Sequence, residues 1–428
     1  MADRKTERVT RLRLIVMSFL QFAVWGAYLP SLGRYLGQVG LGPEIKWFFA
    51  LQGIVSLFMP ALAGIVADRL IPAQKLLSFC HALAGTFMIS AGAYSANIAS
   101  APEFTPLFVL YGCSVAFYMP TISLSSSVAY HALSVAGMDP VINWPPIRAF
   151  GTVGFIFCML AVNWLKVGGV AIQNSHMQLF LSGALSLVLS LYSLSLPRCK
   201  TNSGKKGKSF AESLGIKALY LFRQRRMAVF FLFAMMIGAA MKVTDAYSNT
   251  FLASFGAIPQ FADSFAVRNS NALLAISQTS ETLCILLIPF FMKRFGIKKV
   301  MLISVVAWTL RFGFFAIGEP DMPRVLFLIL SCMVYGVAFD FFNVSGSLFV
   351  EQNSDSDIRS SAQGLMILMT NGLGGSIGTL AAGSVVDRYV YEAAAPSWPT
   401  VWAIFATYVL VVGILFAFLF KEEGGRKS

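Results

Sequence analysis

Five ionisable residues interrupt long apolar runs in the second half of the chain: Lys242, Asp245, Glu281, Arg311 and Asp340. Each would cost about 2.5–3.5 kcal/mol at the centre of a lipid-exposed helix, so all five must face a protein interior, a water-filled cavity or one another. Three are acids and two are bases. At least one carboxyl group therefore lacks a full counter-charge, which suits the carrying of a proton. Glu281 and Asp340 are the candidates for that coupling group. Arg311 fits a structural anchor that bonds carbonyls or a neighbouring carboxylate. Lys242 with Asp245 fits an intrahelical ion pair.

Spacing gathers further residues around these charges. Lys242, Asp245 and Asn249 stand at i, i+3 and i+7, one stripe of a helix, and Gln278 precedes Glu281 by three. Asp340, Asn343 and Ser347 make a polar stripe beside the aromatic residues Tyr335, Phe339 and Phe342, which also fit plain core packing. Far earlier, Arg148, Thr152 and Phe155 repeat the pattern at i, i+4 and i+7. Carboxylates, amides and flat aromatic faces together suit a ligand with a planar ring and several hydroxyl or amide groups.

The elements that position these side chains follow from composition. Of 428 residues 57% are apolar and 12% charged, and 38 phenylalanines outnumber 33 lysines and arginines. Soluble domains run to about 25% charged, so this is an integral membrane protein. Apolar runs long enough to cross a bilayer lie near 12–35, 46–67, 75–96, 106–130, 147–167, 177–196, 227–252, 269–293, 298–317, 322–348, 360–386 and 397–420. They are too long and continuous for barrel strands, which predicts an all-α protein of twelve transmembrane helices. The basic stretch Met1–Arg13 leads into a first span that has no cleavage site, rather than a removed signal.

Twenty-five of the 33 basic residues fall on the N-terminus, the even-numbered connections and the C-terminus, and six on the odd-numbered connections. Both termini are therefore expected in the cytoplasm. This distribution accounts for the net charge of +13 without nucleic acid. Residues 1–196 form one six-helix half, 197–226 a basic cytoplasmic linker and 227–428 the second half. The six scattered cysteines read as small hydrophobes without disulfides.

Other motifs carry no chemistry. Gly374-Gly-Ser376-Ile-Gly378 fits a nucleophile elbow in letters but lies in an apolar helix, where small residues let a neighbour approach. Asn202–Ser209 ends in Gly-Lys-Ser but lacks the first glycine and the flanking strand of a P-loop. His81, His131 and His176 are too dispersed for a metal site. No enzyme and no bound cofactor is expected.

The halves repeat weakly: Tyr111-Gly112 recurs as Tyr335-Gly336, and Ile147-Arg148 as Ile358-Arg359. Two six-helix repeats joined by a cytoplasmic linker resemble the major facilitator superfamily. The resemblance implies a substrate held near mid-membrane between halves that rock to alternate access. Gly64-Ile-Val-Ala-Asp68-Arg69 is similar to that superfamily's loop signature, which implies that Asp68 and Arg69 help lock the inward gate.

More specific stretches run from about residue 15 to 420. They include Ser18-Phe-Leu-Gln21-Phe with Trp25-Gly26, Pro145-Pro-Ile-Arg148 with Gly151-Thr152, Ile276-Ser-Gln278 with Ser280-Glu281, and Val334-Tyr335-Gly with Ala338-Phe339-Asp340. These resemble the bacterial nucleoside:proton symporters, the family of nucleoside and xanthosine permeases. The resemblance implies uptake of a nucleoside with a proton across the bacterial inner membrane by a multi-pass protein powered by the proton gradient; a monomer in lipid is expected. It further implies a pocket of Arg148, Thr152, Phe155, Gln278, Glu281, Tyr335, Phe339 and Asp340. On the seventh span this chain departs: Lys242 and Asp245 stand where those permeases carry two neutral amides, and they join the candidate substrate contacts. That exchange is also what a proton-coupled antiporter exporting a drug or sugar would be expected to show. A non-transporting nutrient sensor is the remote alternative.

Overall fold

In hydrocarbon every backbone N–H and C=O must be bonded within the protein, so apolar runs of this length fold as helices. The computed structural model describes residues 4–98, 101–199, 216–355 and 358–420, and helices dominate them. The chain divides into two compact units, Met1–Glu44 with Ile54–Phe210, and Ile45–Gly53 with Ala211–Ser428.

The first unit holds α1 (Arg4–Gly26), α2 (Leu29–Gln38), most of α3 (Ile45–Arg69), α4 (Ala73–Asn97), α5 (Phe104–Val135), α6 (Pro140–Trp164) and α7 (Met177–Ser193). One span is expected at its start, and Lys5–Gln38 is a single apolar segment long enough to cross; within it α1 and α2 meet at a turn through Ala27 and Tyr28, where Pro30 opens α2 without a backbone donor. Between α6 and α7 lies a small antiparallel hairpin, Lys166–Val167 with Val170–Ala171. Gly168 and Gly169 turn it at φ +60° and +82°, as a two-residue hairpin requires. α4 packs on α5 and α7, and α1 on α6 and α7. Leu77, Val128, Leu133, Trp144 and Leu189 belong to the core they enclose.

The second unit joins the first turns of α3 to α8 (Arg225–Ser254), the short α9 (Phe265–Arg268), α10 (Ser270–Ile317), α11 (Val325–Gln352), α12 (Arg359–Ile367), α13 (Gly375–Val386) and α14 (Trp398–Leu419). The 48 residues of α10 cover two expected spans. The helix breaks at Gly296, whose φ of +76° and ψ of 171° only glycine adopts freely. A π-helical stretch, Leu368–Gly374, links α12 to α13, and another, Asp387–Tyr391, follows α13. Gly374 and Gly378 give α13 its close approach to Met235 and Ala239 of α8, the role expected of that motif. Aromatic side chains fill the unit: Trp402 meets Phe315 at 4.9 Å, Phe251 at 5.5 Å and Phe312 at 5.7 Å between centroids.

Among the described residues, ten helical segments are long and apolar enough to cross a bilayer, with Ser270–Ile317 as one of them, and Met177–Ser193 is a shorter apolar helix. All six cysteines are free. Most of the expected linker 197–226, including Asn202–Ser209, lies outside the described residues; Ile216–Arg223 at its end is a 3-10 helix.

Candidate functional site

In the second unit the site is built where α10 and α11 touch. A Cβ at Gly336 would stand 2.7 Å from the backbone nitrogen of Glu281, so only glycine permits this crossing. Ser280 Oγ accepts the Gly336 N–H at 3.3 Å and donates to the Met333 carbonyl, pinning the two backbones together. Glu281 is thereby brought to Tyr335 and Asp340. The charges of Asp245, Glu281, Arg311 and Asp340 all act on the Tyr335 hydroxyl, and Glu281 acts on Asp340. Asp340 is 4% exposed, and its Oδ2 has no hydrogen-bond partner among the described residues.

Tyr335 is the hub of this cluster. Its ring stacks on Phe339 at 5.6 Å and 22°, and Trp308 meets it at 5.8 Å and 85°. The Arg311 guanidinium lies over the same ring, 4.5 Å from its centroid. The expected carbonyl anchor for Arg311 is present: Nη1 donates to the Ser331 carbonyl at 2.7 Å and to Ser277 Oγ at 3.3 Å. Among the described residues no carboxylate pairs with it.

Lys242 and Asp245 on α8 form an ion pair of 3.0 Å with each side chain 27% exposed. Gln278 lies one turn before Glu281, half-buried on the same face of α10. Other members of the expected stripes are used elsewhere. Asn249 donates to Asn271 Oδ1 at 2.6 Å and accepts from Ser270 at 2.7 Å, which ties α8 to α10. Asn343 bonds the Phe339 carbonyl and Ser347 bonds Gln363. Phe342 is fully buried.

The first unit carries its own cluster where α1 crosses α6. Gly154 lies against the Phe19 backbone, and a Cβ at Gly26 would stand 2.8 Å from Phe155 Cα. The Arg148 guanidinium sits 3.6 Å from the centroid of the Phe22 ring, and Ser18 Oγ donates to the Arg148 carbonyl at 3.4 Å. Thr152 and Phe155 follow along α6, both half-buried. Asp68 and Arg69 close α3, but their side chains lie outside the described residues.

Two features escape the sequence reading. His81 is fully buried and bonds Gln21 Oε1 through Nε2 at 2.9 Å and Ser186 Oγ through Nδ1 at 2.9 Å. Gln21 in turn donates to Thr121 at 2.7 Å, and Tyr118 donates to the Gln21 carbonyl at 2.7 Å. The signal for it in the sequence is a polar ring within an apolar run, which must find hydrogen-bond partners whether or not histidines share a metal. Second, Lys46 pairs with Asp387 inside the second unit, with side chains 18% and 14% exposed.

Carboxyl groups and stacked aromatic faces held inside long apolar helices mark a functional site within a membrane protein. The fold is shared with a solved D-xylose-proton symporter, which superposes with a TM-score of 0.67 at 14% identity, covering 97% of this chain and 98% of that one. The chain belongs to the nucleoside H+ symporter family, whose profile matches residues 9–424. It is 45% identical over 412 residues to the xanthosine permease of Escherichia coli K12, covering 96% of each chain. It is 43% identical over 419 residues to the nucleoside permease NupG of the same organism, covering 97% of each. The crystal structure of the nucleoside transporter NupG superposes with a TM-score of 0.88 at 42% identity, covering 97% of this chain and all of that one.

Proposed function

We propose that this chain carries a nucleoside inward across the bacterial inner membrane together with a proton, by alternating access. The reading is carried by Asp340, a carboxyl group sealed inside an apolar unit with one oxygen unbonded, coupled to Glu281 and to Tyr335. An ionised carboxylate there is costly, and taking up a proton removes the cost. Tyr335 and Phe339 would present a stacked face to the base, as would Phe155. Gln278, Lys242, Asp245, Arg148 and Thr152 would supply polar contacts to base and ribose. Glu281 or Asp340 would carry the proton.

Counting Ser270–Ile317 as two crossings at Gly296 and adding Met177–Ser193 to the other long segments makes twelve. An even number puts both termini on one side, and the excess of lysine and arginine makes that side the cytoplasm. The transporter works as a monomer in lipid, without nucleic acid or bound cofactor, and draws its energy from the proton gradient. Asp68 and Arg69 serve the inward gate.

Proteoliposomes containing the purified protein test the coupling. Labelled nucleoside is expected to accumulate only with an inward proton gradient and to leak out when a protonophore is added. Asp340→Asn or Glu281→Gln is expected to abolish accumulation and retain exchange of internal for external nucleoside. Uptake indifferent to the gradient would make the protein a facilitator; accumulation by both variants would move the coupling group elsewhere.

A further inference from the structure

Arg311 is a permanently charged group, 2% exposed, within the span of α10. Among the described residues it meets the Ser331 carbonyl, Ser277 Oγ, the Cys332 thiol and the ring faces of Tyr335 and Phe315, the last at 5.2 Å, and it forms no ion pair, the charge of Asp245 acting on it from further away. Its Nε has no partner among the described residues. A single carbonyl anchor would be met as well by a neutral donor, without the cost of burying a cation. The charge itself therefore needs a use.

Its surroundings supply one. Tyr335, over which the guanidinium lies, is the side chain on which Asp245, Glu281 and Asp340 all act. We propose that Arg311 is a positioning residue of the transport site: its guanidinium clamps the Tyr335 ring that stacks on Phe339, and its fixed positive charge balances the carboxyl groups that exchange the coupling proton. This rests on the proton-coupled reading. Among the described residues the other ionisable groups of this cluster are Lys242, paired with Asp245 on α8; Cys284, beside Asp340, and Arg311 on α10; and Cys332, beside Arg311, and Tyr335 on α11. With every acid and base of the five in its charged form, the cluster carries one net negative charge, which a single proton neutralises. Without Arg311 two would be needed.

The clamp and the charge separate by substitution. Arg311→Lys keeps the charge but loses the planar group that stacks on a ring. Arg311→Met loses both. Uptake of labelled uridine by proteoliposomes would be measured against uridine concentration and external pH, with reconstituted protein quantified. Arg311→Lys is expected to raise KM about tenfold while its pH profile stays with the wild type. Arg311→Met is expected to raise KM similarly and to move the profile about one unit toward alkaline pH, because losing a nearby cation favours protonated carboxyls. Lower Vmax in both variants, with KM and pH profile unchanged, would reduce Arg311 to a structural anchor and overturn the proposal. If Arg311→Met does not reach the membrane, Arg311→Lys decides alone: raised KM supports the clamp and unchanged KM overturns it. Gradient-independent uptake by the wild type is a separate result that sinks symport, and it is read before either variant.

Discussion

Gly336 presses on Ser280 so closely that a Cβ would stand 2.5 Å from the serine carbonyl carbon. Both obstructing groups are backbone, so neither can rotate away. Adding side-chain volume in a tight core costs about 1–3 kcal/mol, and here it would also separate Glu281 from Tyr335 and Asp340. Gly336→Val is expected to cut nucleoside uptake at least tenfold per molecule of transporter. Gly313→Ala, where a Cβ meets nothing within 4 Å, is expected to transport normally. Equal activity of the two variants, measured by uptake normalised to membrane protein, would remove the crossing from the account of the site.

Lys242 and Asp245 bind each other at 3.0 Å and carry no net charge as a pair. Replacing both by amides, Lys242→Gln with Asp245→Asn, leaves the charge of the buried cluster unchanged. The double variant is therefore expected to retain proton-driven accumulation while altering the ranking of purine and pyrimidine nucleosides in competition against uridine uptake. Each single variant strands one charge and is expected to transport less than the double. Neighbours of this kind commonly show a coupling of about 0.5–3 kcal/mol. Additive single effects with an unchanged ranking would mean that the pair does not touch substrate.

Periodicity made the helices legible, because hydrocarbon leaves the backbone no alternative, and the buried charges were legible because each is expensive. Helix interruptions were less so. The break at Gly296 falls between the spans expected at 269–293 and 298–317, but the turn at Ala27–Tyr28 depends on how Pro30 is used, and neighbouring helices decide that as much as the residue does. Stripe membership also outran the contacts. Asn249 has the right spacing to join Lys242 and Asp245, yet Asn271 and Ser270 of α10 take its hydrogen bonds. Arg311 showed its anchor in advance but not its place over Tyr335, since no sequence spacing relates side chains on different segments. Lys46 and Asp387 sit near span ends 341 positions apart, where lone charges are ordinary.

The Lys46–Asp387 pair holds the first turn of α3 against the end of α13 in the second unit. Ser376 Oγ continues the same seam by donating to the Ala50 carbonyl at 3.2 Å. Breaking a fully buried pair costs about 3–5 kcal/mol, and this slightly exposed pair is expected to give less. Lys46→Ala and Asp387→Ala are each expected to lower the melting temperature in detergent, and Lys46→Asp with Asp387→Lys to recover part of the loss. A swapped variant no more stable than either single one would show that the contact does not act through its charges.

His81 offers the contrast to Asp340. It too is sealed within a unit, but both ring nitrogens are bonded, to Gln21 and to Ser186, and those partners are held by Thr121, Tyr118 and the His81 carbonyl. The network binds α1, α4, α5 and α7 together, and each ring nitrogen already faces a partner within the unit. His81→Ala would leave Gln21 and Ser186 short of a partner, at about 1–3 kcal/mol for each stranded group. The expected result is a lower melting temperature and less transporter in the membrane, with the pH profile of uptake per molecule unchanged. A displaced profile would show that His81 takes part in proton handling, and the assignment of the coupling proton to Glu281 or Asp340 would then fall.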